Sequence, residues 1–95
     1  MSNKYEAVIV YSTKLDEEAT AAMVQKFSDL IAANGTVEAV DEWGKRRLAY
    51  EINDEREGYY TVYNFSAEPD FSAELNRILM ITDGVLRSMI IRKDK

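Results

Sequence analysis

The sequence predicts an α+β fold of two layers, a four-stranded antiparallel sheet with two helices on one face, in the order β-α-β-β-α-β. Three observations predict it. Segments 5–11, 36–50, 59–67 and 85–92 are rich in the aromatic and β-branched residues of strands. Two intervening segments repeat apolar residues at helical spacing. The breaks between segments are short and marked by Gly, Pro, Asn and Asp.

The first strand alternates Tyr5, Ala7, Ile9 and Tyr11 with Glu6, Val8 and Val10. Thr13 to Asp16 offers helix-start chemistry, and Glu17 and Glu18 suit the positive end of a helix dipole. Met23, Val24, Phe27, Leu30 and Ile31 then form one apolar stripe. Asn34-Gly35 is expected to end this helix with Gly in the left-handed conformation. The second strand is long enough to predict a bulge near Trp43-Gly44. Residues 53–58 read as a polar, charged loop. The third strand places Tyr59, Thr61, Tyr63 and Phe65 on one face. Pro69 suits the first turn of a second helix, whose stripe is Phe71, Leu75, Ile78, Leu79 and Thr82. Asp83-Gly84 stops it before the last strand. This order is the split βαβ, or ferredoxin-like, arrangement. Right-handed crossovers make its first and third strands central.

Ninety-five residues are expected to form a single domain spanning 1–95. The chain holds neither cysteine nor histidine. That removes disulfides, thiolate chemistry and most neutral-pH bases and metal ligands, so neither a catalytic site, a metal nor a cofactor is expected. No apolar run approaches the roughly eighteen residues of a membrane helix. With no apolar signal region at the N-terminus, the expected location is the cytoplasm.

The net charge is −5, yet the charge is polarised. Lys4, Lys45, Arg46, Arg47, Arg87, Arg92, Lys93 and Lys95 supply eight of the twelve cations, and Asp94 is the only acid within 45–47 and 87–95. Such a molecule can attract phosphate at one end while its net charge opposes non-specific binding.

Gly44-Lys45-Arg46-Arg47-Leu48-Ala49-Tyr50 is the densest chemical signal. Arg forms bidentate bonds with phosphate, and Arg, Tyr and the preceding Trp43 can stack on a splayed base. The plainer reading is a solvated edge that blocks sheet-to-sheet association. Arg87, Arg92, Lys93 and Lys95 form a second, less specific basic set. The run from Glu57 to Asn64 matches the first ribonucleoprotein motif only at Gly58, Tyr59 and Val62, which favours packing tyrosines. The acid pairs Asp41-Glu42 and Asp54-Glu55 lack metal-loop spacing and read as solvated surface.

Two helices cover one sheet face, yet the strands are apolar on both. Tyr60, Val62, Met89 and Ile91 are expected on the uncovered face, a candidate partner surface. Placing a charge at Val62 or Met89 is accordingly expected to impair partner binding more than it lowers the melting temperature. Trp43 and Tyr50 join this partner-facing set.

At 44–50, followed by Ile52, the chain resembles the family of bacterial small-subunit ribosomal protein number six. Tyr5-Glu6, Gly58-Tyr59-Tyr60 and Asp83-Gly84-Val85-Leu86-Arg87 fit the same family in order, and the resemblance covers essentially the whole chain. It implies a structural constituent of the small subunit that binds the central domain of its ribosomal RNA, in the platform, together with small-subunit protein number eighteen. The free protein is then expected to be monomeric. RNA contacts fall to Lys45, Arg46, Arg47, Arg87, Arg92 and Lys93. Some members of that family carry an acidic tail modified by added glutamates; Arg92-Lys93-Asp94-Lys95 predicts none here. The competing expectation is a homo-oligomeric ferredoxin-like domain that binds small molecules or acts as a metabolic enzyme.

Overall fold

The computed structural model describes residues 3–52 and 55–93. Its elements are β1 (Asn3–Ser12), α1 (Glu17–Asn34), β2 (Gly35–Ile52), β3 (Glu55–Ala67), α2 (Pro69–Ile81) and β4 (Val85–Arg92). All pairings are antiparallel, and the sheet order β2-β3-β1-β4 puts β1 and β3 at the centre. The ferredoxin-like order expected from the sequence is the one observed.

Each helix begins as its sequence dictates. The Asp16 carboxylate accepts from the Ala19 N–H at 2.7 Å, satisfying a donor that the first turn of α1 leaves unpaired. Pro69 opens α2, where its missing N–H costs nothing. The inward stripes are Val24, Phe27 and Ile31 on α1 and Phe71, Leu75 and Leu79 on α2. They bury against Tyr5, Ala7, Ile9, Tyr11, Tyr63 and Phe65 on one sheet face. Tyr5 stacks on Phe65 at 5.5 Å, and Phe71 meets Phe65 edge-on at 6.2 Å, both favoured aromatic geometries.

Two buried phenol hydroxyls pair within this core. Tyr63 donates to the Val24 carbonyl at 3.2 Å, so in the 2.9 Å contact between the two phenols it is Tyr11 that donates to Tyr63. Burial pushes both phenol pKa values up, further for Tyr11 because it also faces Tyr63, and both rings stay neutral.

Two local expectations need correction. Asn34-Gly35 ends α1, but Gly35 has φ −175°, which is extended rather than left-handed. The helix end is instead closed by the Asn34 amide, which donates to the Leu30 carbonyl at 2.9 Å. Gly35 is needed for space: a Cβ would stand 2.1 Å from the Ser66 carbonyl oxygen. Of the expected polar loop 53–58, residues 55–58 belong to β3, and 53–54 lie outside the described residues. Strand pairing here survives a charged sequence because β2 supplies the ladder on one side.

Candidate nucleic-acid interface

The register defines the face that the helices leave uncovered. Three rows cross it from the β2 edge to the β4 edge: Gly44, Tyr60, Val10, Arg87; then Asp41, Val62, Val8, Met89; then Ala39, Asn64, Glu6, Ile91. Strand alternation adds Arg46, opposite Gly58, at one end. At the other end the Lys93 N–H donates to the Lys4 carbonyl, and its ammonium donates to Asn64 Oδ1 at 2.8 Å.

The expected bulge is present. Pairing slips between Glu42 and Gly44, and Gly44 takes φ +80°, a conformation open to glycine at little cost. The extra residue is Trp43, whose ring stacks nearly parallel to Tyr60 at 6.3 Å. Trp43 keeps 49% of its surface exposed, Met89 45% and Ile91 43%. The face thus combines an aromatic stack with an apolar strip, flanked by Arg46 on one edge strand and Arg87 on the other. Such a surface stacks bases or packs apolar side chains while its arginines bind phosphate.

Val62 departs from the expectation. It does face away from the helices, opposite Val8, but it is only 2% exposed, as is Val10. A short side chain in the middle of the two central strands is closed over by its own neighbours. A partner can lie over Val62 without touching much of it.

Lys45, Arg46 and Arg47 are all exposed but do not act as one patch. Lys45 pairs with Tyr59 on the helix side and lines a groove with Asp16, Glu17 and Glu42. There Tyr59 donates to Glu42 at 2.8 Å, and this bond, made by the neutral phenol, raises the Tyr59 pKa. Arg47 pairs with Glu57 and lines a cleft with Lys14 and Arg56, two cations absent from the sequence-derived set. Arg92 pairs with Tyr5 and is exposed at the β4 edge. Tyr50, 63% exposed, stands on β2 beyond Arg47.

Two residues that build this region escaped sequence reasoning. At Gly58 a Cβ would fall 2.3 Å from Val10 Cγ1 and 3.3 Å from Leu48 Cδ2, so the missing side chain lets Leu48 close over Val10. A glycine inside a strand was the available signal. Glu55, read as solvated, is 7% exposed. Its carboxylate accepts from the Ser12 hydroxyl at 2.7 and 2.8 Å and from the Thr13 N–H at 3.0 Å. Asp41 and Glu42 are exposed as expected, and Asp54 lies outside the described residues.

Among the described residues, no helix is long and apolar enough to cross a membrane. The family model for ribosomal protein S6 matches residues 4–92. Small ribosomal subunit protein bS6 of Alkaliphilus oremlandii is 54% identical over 93 residues, covering 98% of this chain and 99% of that one. The protein of the same name from Clostridium perfringens is 50% identical, covering 97% and 98%. The crystal structure of 30S ribosomal protein S6 from Thermotoga maritima superposes with a TM-score of 0.92 at 26% identity, covering 98% of this chain and 89% of that one.

Proposed function

The chain belongs to the ribosomal protein S6 family, a non-enzymatic constituent of the bacterial small ribosomal subunit, and from that premise we propose that it binds the central domain of small-subunit rRNA jointly with small-subunit protein number eighteen, in the platform. One observation supports this most: the uncovered sheet face carries the Trp43–Tyr60 stack between Arg46 and Arg87, on a chain whose net charge is −5. A net acidic protein with a localised basic and aromatic face docks beside a basic protein and adds a few directed phosphate contacts of its own.

In this reading Arg46, Arg47 and Arg87 contact phosphate, with Lys45, Arg92 and Lys93 as further cations along the RNA path. Trp43, Tyr60, Met89 and Ile91 form the apolar contact with the protein partner. Tyr50 adds to its rim, and Val62 supports it from beneath. The free chain is monomeric.

The double substitution Arg46→Ala/Arg47→Ala tests the assignment of cations. Both side chains are exposed, so the stability change is expected to stay within about 0.5 kcal/mol per site. A hydrogen bond to a charged group contributes about 1.5–3 kcal/mol. Joint binding to central-domain RNA is therefore expected to weaken by about tenfold or more. The slope of log affinity against log salt is expected to flatten by about one for each phosphate that an arginine no longer neutralises. Unchanged affinity and slope across a salt titration contradict the assignment.

A further inference from the structure

The β2–β3 hairpin outruns the rest of the sheet. The pairing of β1 with β3 ends at Ser12 and Gly58, and that of β1 with β4 ends at Tyr11 and Val85. Among the described residues, only β2 and β3 continue beyond that line, as a two-stranded ribbon, and the molecule extends 40 Å along its longest dimension against 25 and 22 Å across. Within the ribbon the ladder is broken. Arg47 pairs with Glu57 and Ile52 with Glu55, so the register slips and residues 48–51 of β2 face Arg56 alone between those pairs. Two-stranded ribbons are marginal by themselves in water, and an interrupted one more so.

Among the described residues, two ties hold the ribbon to the body. Leu48 lies over Gly58 beside Val10. The other is Glu55, which turns its carboxylate back onto the turn between β1 and α1. It accepts there from the Ser12 hydroxyl, the Thr13 N–H and, at 3.4 Å, the Thr13 hydroxyl. Ser12 Oγ in turn accepts from the Lys14 N–H at 3.1 Å, so the clasp also orders the turn that carries Lys14. Burying a carboxylate is a costly way to join two segments. What it provides over an apolar contact is direction, because several donors aimed at two oxygens fix the angle of the ribbon.

We infer that Glu55 is a positioning residue, which locks the projecting β2–β3 ribbon so that Arg47 and Arg56 stand beside Lys14 in the orientation that meets RNA phosphate. The three cations line one cleft with Thr13, Glu55 and Glu57 and come from three different segments, Arg56 being held by an exposed ion pair to Glu51 at 3.1 Å, so their mutual placement depends on the clasp. The inference rests on the proposed RNA-binding reading. It adds Lys14 and Arg56 to the contact set and makes affinity depend on a residue that touches no RNA.

The test compares Glu55→Ala, Ser12→Ala and Glu55→Gln with the wild type and with Arg46→Ala/Arg47→Ala. Each is measured twice: amide hydrogen exchange of the free chain, and joint binding with the basic partner to central-domain rRNA. A ribbon that holds its binding orientation one-tenth of the time weakens binding about tenfold. Glu55→Ala is expected to reach about that loss and to speed exchange in 47–57, while the amides of Ile9 and Tyr63 exchange as before. Ser12→Ala, which removes one donor, is expected to fall between Glu55→Ala and wild type in both measurements. It carries the test if Glu55→Ala does not fold. Glu55→Gln keeps one acceptor oxygen for the Thr13 N–H and is expected to restore most of the affinity. Wild-type affinity in Glu55→Ala, with Arg46→Ala/Arg47→Ala impaired, overturns the inference and leaves the RNA-binding reading standing. Weaker binding without faster exchange in the ribbon overturns it as well. Wild-type affinity in every variant overturns both.

Discussion

Val62→Asp is expected to unfold the protein, whereas Met89→Asp, its neighbour in the same row of the same face, is expected to leave the fold nearly untouched. The two residues flank Val8, and the sequence assigns them the same environment. Burial separates them: Val62 is 2% exposed and Met89 45%. Replacing Val62 forfeits the burial of an apolar side chain, about 1.5–3 kcal/mol. It also leaves a carboxylate with no cation paired to it across the strands, a state that costs about 3–5 kcal/mol in buried sites. Against a total stability of about 5–15 kcal/mol, that is most of the fold. Met89→Asp exchanges a half-exposed side chain for a solvated one, and its stability change is expected to be about 0.5 kcal/mol. Its effect falls on partner binding, where the apolar strip acquires a charge. Thermal unfolding of both variants checks the contrast. Equal melting temperatures would show that Val62 is not enclosed by its neighbours.

Gly35→Ala is expected to have the second largest effect on stability. The position is the first of β2 and follows directly on the last residue of α1, so no loop can absorb a shift. Gly35 pairs with Ala67, and a Cβ would stand 2.1 Å from the Ser66 carbonyl oxygen and 2.9 Å from Ala67 Cβ. The first of these is backbone inside the β3 ladder, so either α1 or the edge of the sheet must move. Overpacking of this kind costs about 1–3 kcal/mol and occasionally more. Gly44→Ala provides the comparison. Its Cβ would meet nothing within 4 Å, and only the φ of +80° opposes it, at about 1–2 kcal/mol. Urea midpoints are expected to fall further for Gly35→Ala than for Gly44→Ala. The reverse order would show that crowding at Gly35 is relieved locally.

Periodicity made the architecture legible. The stripe from Val24 to Ile31, the alternation from Tyr5 to Tyr11 and the Trp43-Gly44 bulge each follow from side-chain direction and local backbone chemistry, and each is found. What sequence left hidden depends on which elements come together. Glu55 reads as surface because its neighbours are polar, and only the fold brings Ser12 and Thr13, more than forty positions away, to its carboxylate. Gly35 carries a correct helix stop for the wrong reason, since its crowding comes from β3. Val62 and Met89 share a phase, but phase does not tell a central strand from an edge strand. The split of the three adjacent cations of β2, Lys45 and Arg47 to one face and Arg46 to the other, is by contrast legible in strand alternation alone.

Sedimentation of the purified chain, alone and with small-subunit protein number eighteen and a central-domain RNA fragment, decides whether it assembles jointly with both. A monomer is expected for the chain alone, and with both components present a single complex containing one copy of each. A stable ring or dimer of this chain, indifferent to the basic protein and to the RNA, would contradict it.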